Sequence, residues 1–374
     1  MPLVERPSTP RQGFSSVHMT MATALAALHS AHDARLGDVQ GVALPLDYGD
    51  FEGEVGAIRN GVGVLDLEAA GVIVVRGPDA AEFLSGLTTN DVKRLQEGRA
   101  QPNLICATKG RILHAVTVVH VKAEQYLVVT EPGDLAGVAG HLEAYHIRED
   151  VEIGRTPLVR LDLLGPQAEA ALQAVGASTT APVGTFQEGP LLTLSLLLGS
   201  VPRVMVLLPA AHAGAWAQTV LAAAPGARLV GFAAFDEVRI QAGVPRWGVD
   251  FTAEHLPAEA ALYDHLSFNK GCYIGQEVHA RLHHRGHVNR KLTGLVVPEA
   301  TAKHLRPGAE LFAEGQAVGQ VTSLARLSND DTRQGIAMVR WQHLAGGAPL
   351  AATPDAPADI QPVVLATDLG AERA

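Results

Sequence analysis

Between Gly71 and Glu131 short apolar runs, VIVVRG, LICAT, ILHAVTVVHV and YLVVT, alternate with turn residues. Runs that are brief, rich in β-branched residues and bounded by turn formers predict an antiparallel sheet. The Lys109-Gly110 pair predicts a hairpin turn within it. Pro78-Asp79-Ala80 predicts a helix start, because the amide that proline lacks has no partner in a first turn. The same order returns downstream: LVRLDLLGPQAEAALQAV sets Gly165-Pro166 where VIVVRGPDAAEFLSGL has Gly77-Pro78. A pseudo-duplicated α+β scaffold is the expectation.

From Val201 the pattern gives a strand, VMVLLP, then a helical stretch, AAHAGAWAQTVLAAA, then FAAFDEVRIQAGVPRWGVDF. Asp236, Glu237 and Arg239 fall on one predicted helix that ends at Gly243. That helix reads either as a surface element with local ion pairs and a glycine cap, or as a mount from which Arg239 and Trp247 meet a flat, anionic ligand. After Arg290 the texture changes to LTGLVV, GQAVGQVTS and GIAMVRW, short glycine-broken strands that predict a small barrel or sandwich. The expected organisation is a disordered leader over 1–22, an α+β domain over 23–150, a second over 151–287 and a C-terminal β-barrel over 288–374.

A chain of 374 residues, 47% hydrophobic and 18% charged, supports two or three real cores. Its net charge of −10 disfavours general nucleic-acid binding. The longest apolar stretches, such as LLTLSLLLG from Leu191, stop well short of the roughly 20 residues of a membrane span. The opening MPLVERPSTPRQGFSSVH lacks the apolar centre of a signal peptide, and Met19 and Met21 are alternative starts. Two distant cysteines, Cys106 and Cys272, form neither a disulfide framework nor a CxxC site, so a reducing, cytoplasmic setting is expected.

Candidate chemistry concentrates in residues 268–292, FNKGCYIGQEVHARLHHRGHVNRKL, at the expected domain junction. Cys272, His279 and His283 offer one sulfur and two nitrogens, but no second cysteine completes a structural zinc site, and no metal is expected. As a nucleophile, Cys272 would have Lys270 to favour its thiolate and Gly271 and Gly275 to let backbone approach a ligand. As packing, it would be one more small buried side chain. Arg281, Arg285, Arg290 and Lys291 make a strip with no acid between Glu277 and Glu299. The strip reads as a solvated face or as an anion clamp.

The stretch KGCYIGQE, followed by AR, HHRG and NRKL, resembles the YgfZ family of folate-binding proteins, which includes mitochondrial iron-sulfur assembly factors. From about Leu44 to Leu365 the chain is similar to the related glycine-cleavage T-protein, an aminomethyltransferase that uses tetrahydrofolate. The similarity runs through LPLDYGDFEGEVGAIRNGVGVLDL, LTTNDV, RIQAGVPRWG and GQAVGQVTS. The resemblance implies a T-protein-like ring of mixed α/β domains around a central folate pocket, closed by a C-terminal β-barrel. It implies Cys272 as the reactive group, set in Lys270, Gly271, Tyr273, Gly275, Gln276 and Glu277. Arg239, which falls on the arginine of the T-protein's R-L-E-A-G segment, joins Trp247, Arg281 and Arg285 as expected folate-binding residues.

Two departures bear on activity. Where the T-protein has paired aspartates after a Gly-Gly-hydrophobic turn, KGRILHAVTVV places His114 and Ala115. The T-protein's pterin-holding glutamate has no counterpart near LLLGSVPRVMV. The expected function is therefore a tetrahydrofolate-binding protein that supports assembly or repair of iron-sulfur enzymes through Cys272, with iron-sulfur assembly or client proteins as partners. The alternatives are a folate-dependent aminomethyltransferase or demethylase, and a non-catalytic scaffold.

Overall fold

The computed structural model describes residues 24–177, 186–188 and 191–368; the expected leader lies outside them. Three large sheets and one two-stranded ribbon carry the described fold. The first large sheet runs, in spatial order, Ala100–Cys106, Ile112–Lys122, Gln125–Pro132, Ala70–Arg76 and Glu152–Arg155. Its first two strands are the predicted hairpin, with Gly110 at φ +75° in the turn. The second sheet runs Phe186–Glu188, Leu192–Leu198, Val201–Pro209, Leu158–Leu164, Val62–Asp66 and Ala227–Val230.

The repeat seen in the sequence is a repeat of topology. In each unit a strand leads through a Gly-Pro turn into a helix, Ala80–Leu87 or Ala168–Ala174, and then into three antiparallel strands, the last pairing back on the first. The glycines are required: Gly77 has φ +134° and Gly165 φ +120°, and an added Cβ would lie 2.2 Å from Asp150 O or 2.5 Å from Gly61 O. Sheet membership does not follow chain order, however. Val62–Asp66, from the first segment, lies between Leu158–Leu164 and Ala227–Val230 of the second, antiparallel to one and parallel to the other.

The C-terminal sheet runs Glu310–Ala313, Gln316–Leu324, Thr332–Arg340, Arg290–Pro298 and Gln361–Val363. Bridges Phe312–Ala351 and Leu350–Ile360 bring the chain from one edge toward the other, giving a half-barrel. The helix Phe232–Gln241 joins this sheet to the second. It is not the surface element that one reading of its charges expected: Glu237 is 2% exposed and accepts from the amides of Arg326 at 2.7 Å and Leu327 at 3.0 Å. Arg239, 1% exposed, donates to Asp236 at 2.9 Å, to Ser323 Oγ at 2.7 Å and to Asp250. Its guanidinium thus ties the helix to the half-barrel; burial opposes its charge, and the Asp250 and Asp236 carboxylates more than offset that, so its pKa is raised. No described helix is long and apolar enough to cross a membrane.

The first two sheets pack face to face. Each strand shows its even and odd positions to different layers. Tyr126 and Val128 join the core under the helices, whereas Leu127 and Val129 join the core between the sheets. Val204, Val206 and Leu208 face helices, whereas Met205 and Leu207 face the opposite sheet.

Candidate functional site

The same alternation turns the apolar interface polar at one end. Glu131 follows Val129 across an irregularity in its strand and lies in electrostatic reach of Arg160 and Arg246; Arg203 continues the row of Met205 and Leu207. In Leu158–Leu164, Val159, Leu161 and Leu163 take the helix side, leaving Arg160 and Asp162 on the inter-sheet side. Asp162 is 0% exposed and accepts two bonds of 3.0 Å from Arg160 and one of 2.6 Å from Arg203, so one carboxylate anchors two guanidiniums. Two further charged side chains there make no hydrogen bond among the described residues. Among the described residues the Glu131 carboxyl makes no hydrogen bond or ion pair, and burial pushes its pKa up against the pull of Arg160, Arg246 and His265. The Arg246 guanidinium lies 5.0 Å over the Phe232 ring, and its Nε is 3.1 Å from Asp236 without hydrogen-bond geometry. Burial pushes the Arg246 pKa down.

Trp247 borders this region. It packs on the cluster formed by Leu104, Cys106, Ala115 and Phe251, with its ring 5.7 Å from that of Phe251, and stays half-buried. Ala115 lies on the inter-sheet side and His114 on the helix side, where Nδ1 meets Asp134 at 2.8 Å. Two open clefts, of about 430 and 320 Å³, lie at the opposite end of these strands near Arg76, Gln125 and Leu207 and do not touch the charged cluster.

The KGCYIGQE loop is docked on the first sheet. Lys270 Nζ donates to the carbonyls of Ser85, Thr88 and Asn90 at 2.6, 2.7 and 2.8 Å, capping the end of the helix Ala80–Leu87. Burial brings its pKa down to about 8. This corrects the expectation that Lys270 stabilises a Cys272 thiolate: all three ammonium hydrogens point at carbonyls. Tyr273, 7% exposed, meets His279 Nδ1 at 3.1 Å, and His279 Nε2 meets Gly110 O at 2.7 Å. Gly275, at φ +87°, opens the helix Gln276–Arg285, and a Cβ there would sit 2.7 Å from Ala107 O. Gln276 is half-buried, its amide donating to Tyr273 O at 3.2 Å. Gly271 and Cys272 are exposed, and nothing lies within 4 Å of a Cβ at Gly271.

The other cysteine is its opposite. Cys106 is 1% exposed and its thiol is pushed up to about 12 by burial. The histidines do not gather around Cys272: His279 is buried in the loop's anchor, and His283 stacks on Phe268 at 3.9 Å.

The basic strip is not a continuous clamp. Arg281 pairs with Glu277 at 2.7 Å on an exposed helix face, Arg290 with Glu259 at 3.2 Å and Lys291 with Asp368 at 2.7 Å. The side chain of Arg285 lies outside the described set. Acids from distant segments thus pair with bases that look unaccompanied in the sequence. Arg239, likewise, is 1% exposed and commits each guanidinium nitrogen within the protein, to Asp236, to Val244 O and Asp250, and to Ser323.

Glu131, Arg160, Asp162, Arg203 and Arg246 were not legible as a site. The available signal was Arg160 and Asp162 two apart inside the apolar run LVRLDLL, which puts both charges on one buried face.

The fold is thus two stacked, duplicated sheet units with a C-terminal half-barrel and a charged cluster between the sheets. The model of the glycine-cleavage T-protein (GCVT) N-terminal domain matches residues 25–270, and the chain belongs to that family. Aminomethyltransferases are similar over most of their length. That of Desulforamulus reducens is 29% identical over 320 residues, covering 80% of this chain and 85% of its own. That of Rubrobacter xylanophilus is 29% identical over 307 residues, covering 79% and 80%. The crystal structure of the glycine cleavage system aminomethyltransferase T from Bartonella henselae superposes with a TM-score of 0.85 at 23% identity, covering 94% of this chain and 99% of that one. The expected T-protein-like α/β fold is thereby shown.

Proposed function

We propose that this chain binds a tetrahydrofolate derivative at the charged end of the inter-sheet interface. The observation that carries the reading is a pair of charged groups there that make no side-chain hydrogen bond among the described residues, the Glu131 carboxyl and the Arg246 guanidinium, the latter held only in ion-pair range of Asp236, beside Asp162 and Asp250, which already serve arginines. A folate offers both ring N–H donors and acceptor oxygens, and the half-buried Trp247 supplies a face for stacking. Bound there, a reduced folate would carry or accept a one-carbon group, while the protein's residues hold and orient it.

What the bound folate serves divides into two readings. Aminomethyl-group transfer is favoured by the relatives, which carry that activity in their names. A YgfZ-type role, in which Cys272 supports assembly or repair of iron-sulfur enzymes, is favoured by the exposed thiol on a loop pinned by Lys270, Tyr273 and His279. One experiment separates them. Calorimetry with 5-formyltetrahydrofolate establishes binding, and the same preparation is assayed for aminomethyl transfer to tetrahydrofolate. In parallel, wild type and Cys272→Ser are compared for rescue of iron-sulfur enzyme activity in cells lacking the protein. Binding without transfer, and rescue by wild type alone, supports the thiol reading. Robust transfer together with full rescue by Cys272→Ser overturns it in favour of the transferase.

A further inference from the structure

We propose that residues 363–368 form a strap latched by Lys291, which sits between Tyr263, Trp341 and Asp368, and that the closed strap positions Trp247. The latch has the chemistry of an ammonium receptor. Lys291 Nζ lies 5.4 Å from the ring centroids of both Tyr263 and Trp341 and 2.7 Å from Asp368 Oδ2. Two aromatic faces and a carboxylate around one cation are what an alkylammonium ligand requires, and here the chain supplies that ligand itself. The side chains of Lys291 and Asp368 are only 13% and 12% exposed, so salt and water screen the pair little. Its members come from distant segments. Lys291 lies on Arg290–Pro298, Trp341 follows Thr332–Arg340, and Tyr263 opens the short turn Tyr263–His265, whose last carbonyl accepts from Thr89 Oγ1 at 2.6 Å.

Three further contacts tie the strap down. Val363 O accepts from Thr293 Oγ1 at 2.8 Å, and the Ala366 amide donates to Gly243 O at 3.2 Å. Leu365, 1% exposed, enters the apolar cluster against which Trp247 packs. Gly243 has φ +66°, and a Cβ there would lie 3.4 Å from Ala366 N and 3.6 Å from Leu365 Cδ2. The strap therefore rests on the turn that leads to Trp247. It is held without being fully satisfied. Thr367 Oγ1 and Asp368 Oδ1 are buried with no hydrogen-bond partner among the described residues, and Val364 is 67% exposed. Buried polar atoms without partners favour an open state in which water reaches them. The caged ion pair opposes that, which makes Lys291 the group on which closure turns. The consequence for a ligand rests on the folate reading above; the latch itself does not.

Lys291→Ala in the full-length chain empties the cage, and n-propylammonium returns in solution the group that was removed. Native-state hydrogen exchange of the Ala366 amide should accelerate at least about tenfold in this variant. The Leu350 amide, bonded to Ile360 O at 2.8 Å in the same half-barrel, should stay within about twofold. Millimolar n-propylammonium should reverse most of the acceleration and 1-propanol should not, while wild type, its cage filled, should respond to neither. Asp368→Asn should speed the same amide by about three- to tenfold, and it decides the matter if Lys291→Ala does not fold. Calorimetry with 5-formyltetrahydrofolate should show affinity lowered by about three- to tenfold in Lys291→Ala and restored by n-propylammonium, because a ligand against Trp247 must then close the strap. Ala366 exchange unchanged in both variants, equal acceleration at Leu350, or no rescue by the ammonium overturns the latch. Faster exchange with unchanged affinity overturns the positioning of Trp247. If wild type does not bind 5-formyltetrahydrofolate, the folate reading falls, and the exchange measurements alone decide the latch.

Discussion

Replacing Lys270 with methionine should detach the KGCYIGQE loop from the first sheet before it unfolds the protein. The substitution keeps the aliphatic stem and deletes the three donors that Ser85, Thr88 and Asn90 carbonyls share. Hydrogen bonds from a charged donor are each worth about 1.5–3 kcal/mol. Against them stands the cost of burying the ammonium, which shows as a pKa lowered from 10.5 to about 8; at about 1.4 kcal/mol per unit this offsets roughly 3 kcal/mol. Water reaching the partly buried carbonyls recovers some of the remainder, leaving a net loss of about 2–3 kcal/mol. The amides of Ser267 and Ile274, which donate to Thr89 O and Gly86 O, report on the docking directly. Their hydrogen exchange should accelerate roughly 30- to 150-fold, the factor to which that loss corresponds. Exchange of both amides within twofold of wild type would refute the claim that Lys270 mounts the loop.

The same lysine sets a pH dependence: its folded value near 8 lies below the ordinary 10.5, so the unfolded chain holds the proton across that window. Its contribution to stability should therefore rise from pH 8 to 10.5, and urea midpoints of Lys270→Met should lose that rise. Arg239→Met should cost about 3 kcal/mol and lower the melting temperature by about 4 °C, because Asp250, 0% exposed at its side chain, loses its counter-charge. Gly275→Ala should cost about 1–3 kcal/mol by circular dichroism melts, since its φ of +87° and the Ala107 carbonyl both oppose a Cβ. Cys272 should alkylate in the native protein and Cys106 only on unfolding, given an exposed thiol against one pushed up to about 12. Mass mapping of labelled peptides decides this, and equal labelling would contradict it.

Local rhythm made much of the fold legible. The hairpin at Lys109-Gly110, the helix opening at Pro78-Asp79-Ala80 and the duplicated strand, Gly-Pro, helix unit all rest on contacts close in sequence. The insertion of Val62–Asp66 between two strands of the second sheet was not legible, because it depends on a pairing across about a hundred residues that no local pattern records. The ion pairs of the basic strip were hidden for the same reason. Its neutralising acids, Glu259 and Asp368, are remote in the chain and adjacent only in space.

The charged cluster shows why a position-by-position comparison misplaces chemistry in a sheet. His114 and Ala115 stand where paired carboxylates are expected, and side by side they suggest that the acid function is lost. Adjacent strand residues point to opposite faces, so the two positions answer to different environments. His114 takes its carboxylate from Asp134 under the helix Leu135–Tyr145, while Ala115 looks toward the interface that Glu131 enters from the neighbouring strand. A ligand held between two sheets meets faces, not sequence positions. Parity holds through Leu127 and Val129 and is then interrupted by an irregularity before Pro132, which is where Glu131 comes into electrostatic reach of Arg160 and Arg246.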